Sequence, residues 1–226
     1  MAAERPDTAG ARSVRVWDLP TRLFHWLTVL LVAGCWATQR LNWMQWHVRL
    51  GETLLALVLF RLMWGMAGSE TARFGRFVAS PWAAWRHLRH LFRREPDVQV
   101  GHNAAGGWMV LFLLALLLAE TLSGLYDYND IADEGPLSEF VPASMANFIA
   151  AFHAWGWDVL LGAVVLHVCA IAVYALAKGH NLLRPMLTGR KRLPAAIRVP
   201  ARASPWLAAL LMAAAAIIVA LLAIYL

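Results

Sequence analysis

Charge is scarce in this 226-residue chain: Asp, Glu, Lys and Arg make up 15% of it, against 60% hydrophobic residues. A soluble domain of this length needs a charged surface that such a composition barely supplies. Cysteine is scarcer still. Cys35 and Cys169 lie in apolar runs and form neither a CxxC pair nor a CxxCH attachment motif, so they read as small buried hydrophobes. The N-terminal stretch "MAAERPDTAGARSVRVWDLP" lacks a short apolar core ending at a small-residue cleavage site. It does not read as a secretory signal, and the first hydrophobic run is expected to remain as a span.

What the chain does have is apolar length and tryptophan. Twelve tryptophans suit a protein with two membrane–water interfaces to anchor. Five runs approach the ~20 residues needed to cross a hydrocarbon core, at about 22–39, 47–66, 105–126, 148–177 and 205–226. The backbone must satisfy its own hydrogen bonds there, so all five are expected to be helices. The reading is an all-α integral membrane protein: a four-helix bundle, a fifth C-terminal span and one interfacial helix. The expected organisation is a tail over 1–13, a membrane domain over 14–192, and a linker with the last span over 193–226.

The placement of charge matters more than its net value of +6. Residues 66–104 carry Arg73, Arg76, Arg86, Arg89, Arg93 and Arg94 against three acids, and 178–202 carry seven Lys or Arg and no acid. Residues 127–147 reverse this, with Asp127, Asp130, Asp133, Glu134 and Glu139 and no Lys or Arg. The positive-inside rule then puts the N-terminus in the cytoplasm and the C-terminus outside. Such basic loops orient the chain against lipid and do not indicate nucleic acid. Within the first basic loop, "SPWAAWRHLRHLFRR" (about 80–94) sets Trp82, Trp85, Leu88 and Leu91 or Phe92 at helical spacing, as an amphipathic interfacial helix would. His87 and His90 belong to its polar face.

The fourth span holds two histidines, His153 and His167. Fourteen helical residues rise about 21 Å and complete nearly four turns, so the two share a face at different depths. On this topology His153 lies near the outer surface and His167 towards the inner one. His25, one turn into the first span, matches the inner depth; His47, opening the second, matches the outer. The four pair as His47 with His153 and His25 with His167. A lone histidine at a helix end is ordinarily an interfacial residue, but four at two matched depths ask for a ligand role. Zinc fits poorly, because two histidines per level fall short of four ligands and no cysteine is near. Two haem b groups with bis-histidine iron, their macrocycles filling the bundle, fit better.

Several stretches together resemble one family. They are "VWDLPTRLFHW", "WHVRLGETLLALVLFRLMWG", "GHNAAGGWMVLFLLALLLAETLSGLY", the His153–His167 spacing, and "HNLLRPMLTGRK" after the fourth span. Over about residues 14–192 the chain resembles the bacterial cytochrome b561 family, which includes the b-type cytochrome subunits of nickel–iron hydrogenases. The resemblance implies four helices carrying two b haems, with His25, His47, His153 and His167 as axial ligands. The family more often carries GHNP where this chain has GHNA at 101–104.

Haem propionates need basic partners near each surface. Arg49 could serve the outer haem; Arg61, fourteen residues after His47, reaches the inner level, with Arg15, Trp17 and Arg22 as further inner candidates. Snorkelling is the plain alternative for any one arginine. Glu52 and Asp158 each follow an outer histidine by five residues, and Glu120 is a third intramembrane acid. Such acids transfer protons, pair with bases or stay neutral through burial. His102 and Asn103, at the inner mouth of the third span, could bind a quinone carbonyl or a propionate, or Asn103 could cap the helix.

The resulting reading is a multi-pass electron carrier of the bacterial inner membrane. It would link quinone to a periplasmic redox protein such as a hydrogenase or a c-type cytochrome, with the acidic outer loop as a dock for a basic surface. Association of further copies into a homo-oligomer is compatible with so apolar a surface. Two rivals stand beside it. One is a self-contained haem oxidoreductase acting on a small substrate with quinone. The other is a non-redox transporter or anchor subunit, disfavoured because no Gly/Pro breaks recur in matching spans.

Overall fold

The structure, a computed structural model, describes residues 10–91, 93, 95–126, 137 and 141–225. The five acids of the outer loop, together with Phe92 and Arg94, lie outside the described residues.

Each long apolar run forms a helix, and local chemistry sets the ends. Helix α1 (Leu19–Arg40) begins where Asp18 accepts the amide of Thr21 at 2.8 Å, with a proline in the first turn. Helix α2 (Met44–Ala67) follows after a tight reversal in which Asn42 takes φ 56°. A four-residue helix α3 (Phe74–Phe77) precedes the interfacial helix α4 (Pro81–Arg89), which Ser80 caps by accepting the amide of Ala83. Helix α5 (Ala104–Gly124) is capped by Asn103. Helix α6 (Ala143–Val173) starts about five residues earlier than its hydropathy alone suggests and runs on through a π turn, Tyr174–Lys178. Gly179 ends it at φ 72°, a left-handed conformation that suits glycine. Helix α7 (Leu183–Thr188) and helix α8 (Pro205–Tyr225) complete the chain.

Five of these helices, α1, α2, α5, α6 and α8, are long and apolar enough to cross a membrane. The close packing runs in the order α1, α2, α5, α6, with α8 laid along α2. Helix α6 makes no comparably close packing with α1 or α2, so the bundle is open along that side. Its middle is closed by Leu54 and Val58 of α2, Leu117 of α5 and Leu160 of α6, with Leu31 and Val32 of α1 packed against them. Helix α8 seals the far face of α2 through Ala208 and Ala215, which meet Phe60 and Trp64. Large apolar side chains point outward elsewhere, among them Leu30, Leu166, Trp206 and Leu210. Such a surface is stable in lipid and would be untenable in water.

The three basic segments gather at one end. Strand β1 (Ala11–Arg15) pairs antiparallel with strand β2 (Arg190–Pro194), with Arg12 opposite Leu193 and Val14 opposite Lys191. This small sheet was not expected from the sequence, and it joins the segment before α1 to the segment after α7. Val14, Val16, Trp17 and Leu193 are buried beneath it. Lys191 donates to Asp97 at 2.5 Å, and Glu70 takes the amide of Ala201 and the guanidinium of Arg198. Four intervening spans return the chain to its starting side, and these bonds register that return.

Candidate functional site

The open side of the bundle holds the four histidines in two pairs. His25 of α1 and His167 of α6 stand 6.4 Å apart between ring centres, their planes 53° apart. His47 of α2 and His153 of α6 stand 6.3 Å apart, with planes at 89°. A metal–imidazole bond is about 2 Å long, and a ring centre lies about 1 Å beyond the nitrogen. Two imidazoles on opposite sides of one ion therefore sit about 6 Å apart, and each pair could hold one iron. Among the described residues no group of three or more His, Cys, Asp and Glu gathers as a metal cluster. Each level thus offers two imidazoles that could hold one iron between them, with the open side beside α6 as room for a macrocycle.

Hydrogen bonds orient the outer pair. His47 Nδ1 lies 2.9 Å from the carbonyl of Cys35, which can only accept, so Nδ1 carries the proton and Nε2 is the metal-binding nitrogen. His153 Nδ1 lies 2.9 Å from Ser123 Oγ. The Ser123 hydroxyl donates to the carbonyl of Glu120 at 3.0 Å, so towards His153 its oxygen accepts. His153 is then also protonated at Nδ1. The Glu120 carboxylate stands 3.4 Å from the same nitrogen.

The inner level is surrounded by buried donors. Arg61 is 2% exposed, lies over the Phe74 ring at 5.0 Å, and its Nη1 has no hydrogen-bond partner among the described residues. The same holds for Arg73 Nε, His25 Nδ1 and His102 Nδ1. Buried donors without acceptors are costly, and an anionic group would satisfy them. His102 lies between the rings of Trp17 (4.6 Å) and Phe77 (4.7 Å). Burial pushes its pKa down to about 3, and Arg61, His167 and His25 press the same way. These donors fit the propionates of a haem b held at the His25–His167 level.

Other expected groups lie elsewhere. Arg49 is exposed and stacks over Trp46 at 5.6 Å. Asp158 is exposed. Arg22 bonds the carbonyls of Met186 and Leu187 and so ties α1 to α7. Asn103 accepts the amide of Gly106 as the cap of α5, and its Nδ2 donates to Tyr174 Oη at 2.8 Å. His87 Nε2 reaches the same hydroxyl at 2.5 Å. His87, His102 and Asn103 line a cavity of about 550 Å³ with Arg76, Arg86 and Glu95. Arg73 and Tyr174 were not singled out in the sequence. Arg73 sits in an irregular basic loop, and Tyr174 follows the last histidine by seven residues, at the start of the π turn that ends α6.

Comparison with known proteins agrees with this architecture. The family described as prokaryotic cytochrome b561 matches residues 16–189. A curated relative, the "Probable Ni/Fe-hydrogenase B-type cytochrome subunit" of Rhizobium leguminosarum bv. viciae, is 23% identical over 217 residues, covering 80% of this chain and 89% of its own. No solved structure matches the chain.

Proposed function

The chain belongs to the prokaryotic cytochrome b561 family, and from that premise we propose a two-haem carrier that links a periplasmic redox protein to the quinone pool of the inner membrane. It is a multi-pass membrane b-type cytochrome, and haem and electron transport follow from the family. The observation that carries the finer reading is the pair of histidine couples, 6.3 and 6.4 Å apart, at two levels of one bundle.

In this reading His47 and His153 hold the outer haem and His25 and His167 the inner one. Bound there, iron supplies reversible one-electron chemistry, which the protein tunes through ligands, hydrogen bonds and burial. Arg61 and Arg73 would neutralise the inner propionates, and the neutral His102 ring would orient them through its Nδ1. Leu54, Val58, Leu117 and Leu160 keep the space between the levels dry. The basic segments face the cytoplasm, since lysine and arginine are retained there.

The quinone is taken at the inner end, in the cavity lined by His87, His102 and Asn103. The Tyr174 hydroxyl bonds two of these lining residues, Asn103 and His87, and so fixes their side chains. The partner at the outer surface is a hydrogenase or a c-type cytochrome, the former supported by the Rhizobium relative, a probable Ni/Fe-hydrogenase cytochrome subunit. Reduction of the purified protein by a soluble quinol analogue tests the quinone assignment. Asn103→Leu is expected to slow that reduction at least tenfold while leaving the haem content intact. An unchanged rate would move the quinone elsewhere.

A further inference from the structure

Glu120 is the acid that hydropathy tolerates least. It lies near the outer end of α5, inside a membrane span, and is 7% exposed. A buried intramembrane acid is costly and is kept by a partner. The partner is on α6: Glu120 Oε2 stands 3.4 Å from His153 Nδ1. The backbone makes room for this approach. A Cβ at Gly156 would overlap Glu120 Oε1, so the carboxylate occupies a slot that only glycine leaves open. A Cβ on Gly124 would meet the His153 ring at 3.2 Å, so the imidazole too is packed directly on α5. Ser123 completes the arrangement, its hydroxyl turned to the Glu120 carbonyl and its oxygen to His153.

Among the described residues His25, His47 and His167 have no carboxylate contact of this kind. His47 gives its Nδ1 proton to a neutral carbonyl. His25 Nδ1 has no partner among the described residues, and the charge that acts on the neighbouring His102 is the buried Arg61 cation. One imidazole of the four therefore faces a carboxylate across its second nitrogen.

We propose that Glu120 is a positioning residue of the outer level: it fixes the His153 ring from behind and makes the outer haem the more reducing of the two. A carboxylate 3.4 Å behind the Nδ1–H that Ser123 accepts polarises the ring and leaves more electron density on the ligating nitrogen. That density stabilises ferric over ferrous iron, while the buried Arg61 cation at the inner level acts in the opposite sense. The inference rests on the assignment of His153 as an outer-haem ligand.

Redox titration of the detergent-purified holoprotein, with low-spin EPR spectra of each haem, tests it. Glu120→Gln keeps the side chain's shape and removes the carboxyl group's ability to ionise. It is expected to raise the outer midpoint potential and shift that haem's g-values, leaving the inner haem unchanged. Ser123→Ala removes the neutral competitor for the Nδ1 proton and is expected to move the same potential down. It also decides the matter if Glu120→Gln does not assemble. An outer potential unmoved in the assembled variants, or a shift confined to the inner haem, overturns the proposal. Retention of both haems by His153→Ala would instead overturn the ligand assignment beneath it, so the two failures are distinguishable.

Discussion

Replacing Asp18 by alanine removes two hydrogen-bond acceptors and a counter-charge together. Its Oδ1 caps α1 through the amide of Thr21 at 2.8 Å, and its Oδ2 accepts the indole N–H of Trp64 at 3.1 Å. Asp18 is also the acid that acts electrostatically on the buried Arg61. Loss of a cap costs about 1 kcal/mol. Trp64 is 1% exposed, so its stranded N–H adds about 1–3 kcal/mol. The sum is about 2–4 kcal/mol, and a chain of this length loses about 2–4 °C of Tm per kcal/mol. Asp18→Ala should therefore melt about 5–15 °C lower in detergent, followed by tryptophan fluorescence. Asp18→Asn has one acceptor oxygen where two donors call for one each, so it should fall between alanine and wild type. A Tm for Asp18→Ala equal to that of wild type would refute the view that this acid joins α1 to α2.

Other perturbations address the same end of the bundle. In Gly65→Ala the new methyl would overlap the Phe74 ring, the ring beneath Arg61, and should cost about 1–3 kcal/mol by thermal melting. Phe74→Leu in that background should recover part of the loss. Arg61→Leu should lower total haem per chain in the pyridine haemochrome, with the loss confined to the inner haem's low-spin EPR signal, whereas Arg61→Lys should retain more of it. His102 predicts a pH dependence. Its pKa is about 3 when folded and near 6.5 when unfolded, so below that upper value the unfolded chain takes up a proton the folded one refuses. Stability is then full above about pH 6.5 and declines towards pH 3, by up to about 1.4 kcal/mol per unit from this group. His102→Phe should flatten that part of the melting-temperature profile.

The spans were legible because lipid demands long, unbroken apolar helices, and α1, α2, α5, α6 and α8 fall where hydropathy puts them. The histidine pairs could be read because helix geometry converts spacing into depth, and the structure brings His25 to His167 and His47 to His153. The β1–β2 pairing was not legible. Its strands are five residues each, rich in arginine, and 175 residues of chain separate Arg15 from Arg190, so only tertiary contact creates them. His87 reads as an ordinary polar-face residue of α4, since its partner Tyr174 lies on another span. Arg73 is hidden for a similar reason, because burial of a loop arginine depends on how that loop folds back. Glu120 stood out as an acid within a membrane span, but its contact with His153 needed the α5–α6 packing and the absence of a side chain at Gly156.

Reduced-minus-oxidised spectroscopy, with haem quantified per chain, tests the two-level account most directly. It would be run on the detergent-purified wild type, His153→Ala and His167→Ala. The account predicts two b haems in the wild type, with each variant losing a different one. A wild type with a single b haem, or two variants that lose the same haem, would contradict it.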